Sequence, residues 1–160
     1  MVILGIDPGL ASIGYGLIKI MDDENMHPID YGVITTSRKK SQAERLRCIY
    51  DAVTDIIFKF KPDAAAIETI FYSRNLKSLT QVSEAIGVIT LAAWNYGLQI
   101  KKYTPLEVKS AVVRSGKADK GQIQIMVKNL LNLNNVPKPN HAADALAIAI
   151  CYNTHTSLVV

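Results

Sequence analysis

The sequence predicts a single α/β domain, a five-stranded mixed sheet with helices on both faces. Three observations predict it. Up to Thr35 the chain divides into three apolar runs separated by turn residues. Beyond that point helical periodicity alternates with short apolar strands. A chain of 160 residues, 49% of them hydrophobic, can fill one core but is too short for two ordinary domains.

The elements follow in order. Residues 2–6, 14–20 and 31–35 are apolar runs, and the turn signals Asp7-Pro8-Gly9 and Asp22-Asp23-Glu24-Asn25 divide them into an antiparallel meander. Ser41-Gln42-Ala43-Glu44 is a capping box, in which hydroxyl and carboxylate each satisfy a free amide of a helix start. Leu46, Ile49, Val53, Ile56 and Phe60 then recur at three- and four-residue spacing until Pro62 stops the helix. Residues 64–67 form a buried strand that runs into Glu68, and residues 78–96 form a second helix closed by Gly97. A fifth strand spans residues 99–103. Thr104-Pro105-Leu106-Glu107 opens a short helix, with proline where its missing donor costs nothing. Asp119-Lys120-Gly121-Gln122 opens another that reaches about Leu131. Asn140 caps a last helix over residues 141–152, and the tail 154–160 is expected to fray. The later strands require parallel crossovers, and the whole resembles the ribonuclease H fold, one nuclease-sized domain over residues 1–153.

Composition narrows the function classes. Cys48 and Cys151 have no CxxC partner, a usage that suits a reducing, cytoplasmic setting. The start MVILGIDPG has no basic region ahead of its apolar run, so no signal peptide is expected, and no apolar stretch nears the ~20 residues of a membrane helix. The net charge of +4 is unevenly distributed. Residues 1–60 carry seven Lys/Arg against eight Asp/Glu, residues 61–100 three against three, and residues 101–160 eight against three. The basic surplus in the last part of the chain reads either as solvated surface or as a face for a polyanion.

Three acids occur where packing disfavours them. Asp7 and Glu68 each end an apolar strand, and Asp144 lies in the apolar stretch HAADALAIAI. Each has a plain alternative: a turn residue, a strand-end surface charge, and an acid favoured by the helix dipole. No basic residue adjoins any of the three. His141 and Asp144 are three apart and share a helix face. Asp7, Glu68, His141 and Asp144 together make a hard donor set that suits Mg²⁺ or Mn²⁺. Two such ions can activate water and stabilise the leaving oxygen in phosphodiester hydrolysis.

The motifs resemble those of one family. GIDPGLASIGYGLI is similar to the opening motif of RuvC Holliday-junction resolvases, and AIETIF to the second motif, an acid followed three residues later by Phe. TPLEVKSAV and SGKADKGQIQIMV resemble the family's basic DNA-binding stretch, and HAADALAIAI its last motif. The resemblance spans about residues 2–152. It implies a metal-dependent endonuclease of recombination and repair that cuts four-way DNA junctions as a homodimer, with the RuvA and RuvB branch-migration proteins as partners. It also implies Asp7, Glu68, His141 and Asp144 as the catalytic, metal-binding set, the position of His141 being Asp or His in members. The helix over residues 78–96, more Ile-rich and less basic than is usual in the family, corresponds to the one at the resolvase dimer interface.

DNA contacts are expected in two places. Phe71 and Arg74, after Glu68, can stack on an unpaired base and hold phosphate, although Phe71 can equally be a core residue. Lys109, Lys117 and Lys120 flank helix starts where backbone amides add donors; similarity to the family's basic positions favours Lys109 and Lys120 over Lys117 and Arg114. Two rival readings stand beside the nuclease. One is a non-catalytic junction-binding module. The other is an actin-like ATPase or sugar kinase, whose phosphate loop IDPGLASIG resembles but whose nucleotide site needs two domains.

Overall fold

The computed structural model describes residues 1–22, 25–69, 76–113 and 118–157. The chain runs β1 (Val2–Asp7), β2 (Ser12–Ile20), β3 (Met26–Thr35), α1 (Gln42–Phe60), β4 (Ala64–Glu68), α2 (Leu76–Asn95), β5 (Gln99–Tyr103), α3 (Pro105–Val113), α4 (Lys120–Leu130) and α5 (Asn140–Ser157). The five strands form one sheet in the order β3-β2-β1-β4-β5. The meander β1-β2-β3 is antiparallel, and β1, β4 and β5 run parallel to one another. The mixed sheet predicted by the sequence is therefore the one observed.

Side-chain alternation along the strands divides the core in two. Leu4, Ile6, Leu17, Ala65 and Ile67 point to the face covered by α1 and α2. Ile3, Ile18, Ala64 and Ala66 point to the face covered by α3, α4 and α5. Burial on both faces explains why β1 and β4 read as continuous apolar runs. From Ala142 to Tyr152 every residue of α5 except Asp144 is buried.

This helix lies directly on the sheet backbone. A Cβ added to Gly5 would stand 2.1 Å from the carbonyl oxygen of Ala145, and one added to Gly14 would stand 1.9 Å from that of His141. The alanines of α5 supply the other half of the close approach. Overpacking typically costs about 1–3 kcal/mol, and a collision with main-chain atoms leaves little room for relief.

The helix starts match the sequence pattern. Ser41 and Glu44 form the reciprocal box at α1, Asp119 and Gln122 form it at α4, and Thr104 and Glu107 exchange the same pair of bonds at α3. Strand β2 starts at Ser12, two residues before the predicted 14, and three further elements differ in extent. β3 begins at Met26, well before residue 31, because His27, Pro28 and Asp30 break the apolar pattern. An edge strand tolerates proline and polar residues, and β3 is at the edge. α2 begins at Leu76 and ends at Asn95, with Gly97 beyond it at φ +73°.

The third difference is at the C-terminus, where α5 continues through Ser157 instead of ending at Tyr152. Thr154 and Thr156 donate from Oγ1 to the carbonyls of Ile150 and Tyr152, and the His155 ring lies 5.3 Å from that of Tyr103. The polar, β-branched sequence NTHTS has weak helix propensity, and tertiary contacts override it. Residues 158–160 lie outside the described residues. No helix among the described residues is long and apolar enough to cross a membrane.

Candidate active site

Strand parity and register build the site. Asp7 follows Ile3 and Gly5 on the same side of β1, and Glu68 follows Ala64 and Ala66 on the same side of β4. Both acids therefore face the layer of α5. Gly5 pairs with Ala66 and Ile6 with Ile67, so the two carboxylates emerge side by side at the C-terminal ends of adjacent parallel strands. On the other flank Asp7 pairs with Gly14, and Gly14 is where the His141 backbone rests on the sheet. The close approach of helix and sheet thus delivers the first turn of α5 to Asp7.

His141 Nδ1 lies 2.6 Å from Asp7 Oδ2, and Lys120 Nζ lies 2.6 Å from Asp144 Oδ2. One ligand atom each from Asp7, His141 and Asp144 fall within 4.8 Å of one another. The Asp7 side chain is 13% exposed and that of Asp144 26%, so the acids sit in a partly desolvated recess. Burial pushes the Glu68 carboxyl up to about 7, helped by the negative charges of Asp7 and Asp144 and opposed by Lys120 and Lys109. Burial also raises Asp7, and the hydrogen bond with His141 counters part of that effect.

A compact group of carboxylates that repel one another, with one imidazole, is the donor chemistry of a hard divalent cation. Such a cation would relieve both the repulsion and the desolvation. The residues present fit Mg²⁺ or Mn²⁺.

A cleft of about 210 Å³ opens from Glu68 and Asp144, lined also by Lys109, Lys120 and Val108. α3 and α4 supply the two lysines, Lys120 as the residue directly after the capping Asp119. Structure thus brings Asp7, Glu68, His141, Asp144, Lys109 and Lys120 to one end of the sheet. Phe71, Arg74, Arg114 and Lys117 lie outside the described residues.

A second, more open groove begins at His141 and follows the turn of residues 9–12 past Arg38, Arg45 and Gln81. Neither arginine stands out in the sequence, because acids elsewhere in the first 60 residues cancel their charge in a linear count. The signal available was the position of Arg45 four residues after the capping Ser41, in the first turns of a helix that follows the meander.

Comparison with known proteins agrees with this geometry. Residues 3–152 match the family described as Crossover junction endodeoxyribonuclease RuvC. The chain is 51% identical to the crossover junction endodeoxyribonuclease RuvC of Alkaliphilus oremlandii, over 98% of this chain and 94% of that one. A structure of T. thermophilus RuvC in complex with Holliday junction substrate is similar with a TM-score of 0.90 at 30% identity, covering 99% of this chain and 96% of that one. A further Thermus thermophilus RuvC structure gives a TM-score of 0.92 at 32% identity, over 99% and 97% of the two chains. The chain belongs to the RuvC family of crossover junction endodeoxyribonucleases.

Proposed function

We propose that this chain resolves Holliday junctions by metal-dependent hydrolysis of phosphodiester bonds, with Asp7, Glu68, His141 and Asp144 as its catalytic set. The observation that carries the reading is the convergence of Asp7, His141 and Asp144, from β1 and α5, with Glu68 of β4 lining the lysine-bearing cleft beside Asp144. In the reaction a water oxygen bonds to phosphorus and one bridging P–O bond breaks, leaving a hydroxyl on one strand end and a phosphate on the other. Asp7, Glu68, His141 and Asp144 would hold Mg²⁺ or Mn²⁺, two ions per site. Bound ions supply Lewis acidity, lowering the pKa of water and neutralising the leaving oxygen.

The protein's own groups do the remainder. Lys109 and Lys120 offer ammonium groups to phosphate oxygens at the mouth of the acid recess. Lys120 is paired with Asp144, and an incoming phosphate and cation can take over the two halves of that pair. His141 Nδ1 stands within hydrogen-bonding distance of Asp7 Oδ2, which holds these two donor groups side by side for a cation they would share. The low exposure of Asp7 limits competing water.

A homodimer is proposed as the working unit, because two copies related by a two-fold axis match the symmetry of a four-way junction. The outward side of α2 supports this, since it exposes Leu91 and Trp94, three residues apart, to solvent. Action on DNA in the cytoplasm, together with RuvA and RuvB, is proposed on the ground of the family; the two free cysteines are compatible with that compartment.

The test is a synthetic four-way junction incubated with Mg²⁺, compared with plain duplex and with ATP. Paired nicks at symmetric positions, confined to the junction, are expected. An intact but retarded junction would leave only a binding module, and ATP turnover would point to the kinase-like reading.

A further inference from the structure

The two clefts reach the acid cluster from different directions. One touches Glu68 and Asp144 and carries Lys109 and Lys120. The other, about 520 Å³ and open, touches His141 and carries Arg38 and Arg45. His141, at the end of the second cleft, is bonded to Asp7.

Arg45 is built into its place. Its Nε donates to Thr36 Oγ1 at 2.9 Å, and that hydroxyl donates to the carbonyl of Leu10 at 2.5 Å. Thr36 is 9% exposed, and its amide donates to the carbonyl of Ala11. The guanidinium is therefore anchored to the turn that follows Asp7, with the rest of its fork of donors left for another partner. Among the described residues no carboxylate forms an ion pair with Arg38 or Arg45. The carboxylates that accept from arginine or lysine elsewhere, Asp51 and Asp144, do not line this groove.

The lining also says what the groove does not hold. Among the described residues no Phe, Tyr or Trp lines it, the rings on which a base most readily stacks. Two guanidinium groups, the Gln81 amide and the Ser12 hydroxyl suit phosphate oxygens instead.

We propose that this groove is a second phosphate track, in which Arg45 and Arg38 grip the backbone of the cleaved strand on the His141 side of the scissile phosphate. Lys109 and Lys120 grip the same strand on the other side. The proposal rests on the resolvase reading and adds the path of the strand through the site. With Arg45 tied to the loop of Asp7, the phosphate it holds is registered against the reacting one, which makes Arg45 a positioning residue.

The experiment measures binding of the dimeric protein to a synthetic four-way junction in chelator, over a series of salt concentrations. Arg38→Ala and Arg45→Gln are each expected to lower the slope of log affinity against log salt by about one unit. The double variant is expected to lower it by about two, with melting temperature unchanged. Neutral methylphosphonate linkages are then placed singly on either side of the nick. Those on one flank of the cleaved strand are expected to weaken the parent but not the double variant, and those on the opposite flank to behave so toward Lys109→Ala and Lys120→Ala. Wild-type slopes in the arginine variants would overturn the proposal. So would coupling of the arginines to the lysine flank or to the uncut strand. Failure of the parent itself to bind and cut the junction would instead remove the resolvase reading. If Arg45→Gln lowers the melting temperature, Arg38→Ala carries the same comparison alone.

Discussion

Glu68 shows at a single residue what the site costs and why a cation suits it. Its carboxyl is raised from an ordinary 4.5 to about 7, chiefly by burial. A group that titrates higher when folded supplies stability that is complete below its unfolded value and is lost as pH rises through its folded value. The metal-free protein is therefore expected to lose melting temperature between about pH 4.5 and 7, and Mg²⁺ to restore more of it at pH 8 than at pH 5. A thermal melt in chelator and in Mg²⁺ across that range checks both signs, and Glu68→Gln should flatten the chelator curve. Asp7→Asn, Glu68→Gln and Asp144→Asn are expected to bind junctions while cutting falls by orders of magnitude, measured by nicking under single-turnover conditions. His141→Asp is expected to remain active and His141→Ala to lose most activity. At this scale the acids were legible in the sequence because each interrupts an apolar run. The pairing of Lys120 with Asp144 and the anchoring of Arg45 through Thr36 were not, since each joins residues that only the fold brings together.

At the scale of elements, starts were readable and extents were not. The three capping boxes are local chemistry, complete within four residues, and all three form. The entry of β3 and the exit of α5 depend on neighbours: β2 recruits His27 and Pro28 into the edge, and Tyr103 holds His155. α2 illustrates the same dependence. Its sequence reads as Ile-rich, yet the fold buries Ala85, Ile89, Ala92 and Ala93 and leaves Leu91 54% and Trp94 71% exposed. A large aromatic exposed on a helix beside a leucine is a characteristic interface anchor. Leu91→Asp and Trp94→Asp are expected to convert dimer to monomer in sedimentation equilibrium while circular dichroism stays native. Paired nicking should then decay to single, uncoordinated nicks. A monomeric parent, or a dimer untouched by both changes, would place the interface elsewhere.

At the scale of the whole molecule, the acids, the lysines and the arginines collect at one end of the sheet, where β1 and β4 terminate and α5 begins. The fold class was legible because both layers leave periodic traces in the sequence. The second groove was not, because it is made by α1 and α2 meeting the β1–β2 turn. The joint between α5 and the sheet is mechanically stiff. With α5 resting on glycine backbone at Gly5 and Gly14, the span from Asp7 to His141 and Asp144 is fixed by main-chain atoms, with no side chain between to act as a spring. The proposed ion site would thus be a strain gauge for the joint between helix and sheet. Under rising denaturant, Mn²⁺ affinity followed by electron paramagnetic resonance is expected to fall before far-ultraviolet ellipticity does. Coincident curves would mean that helix and sheet part only when the whole domain unfolds. Gly14→Ala is expected to weaken Mn²⁺ binding even at temperatures where α5 remains fully helical, because the added carbon displaces His141 without unwinding it.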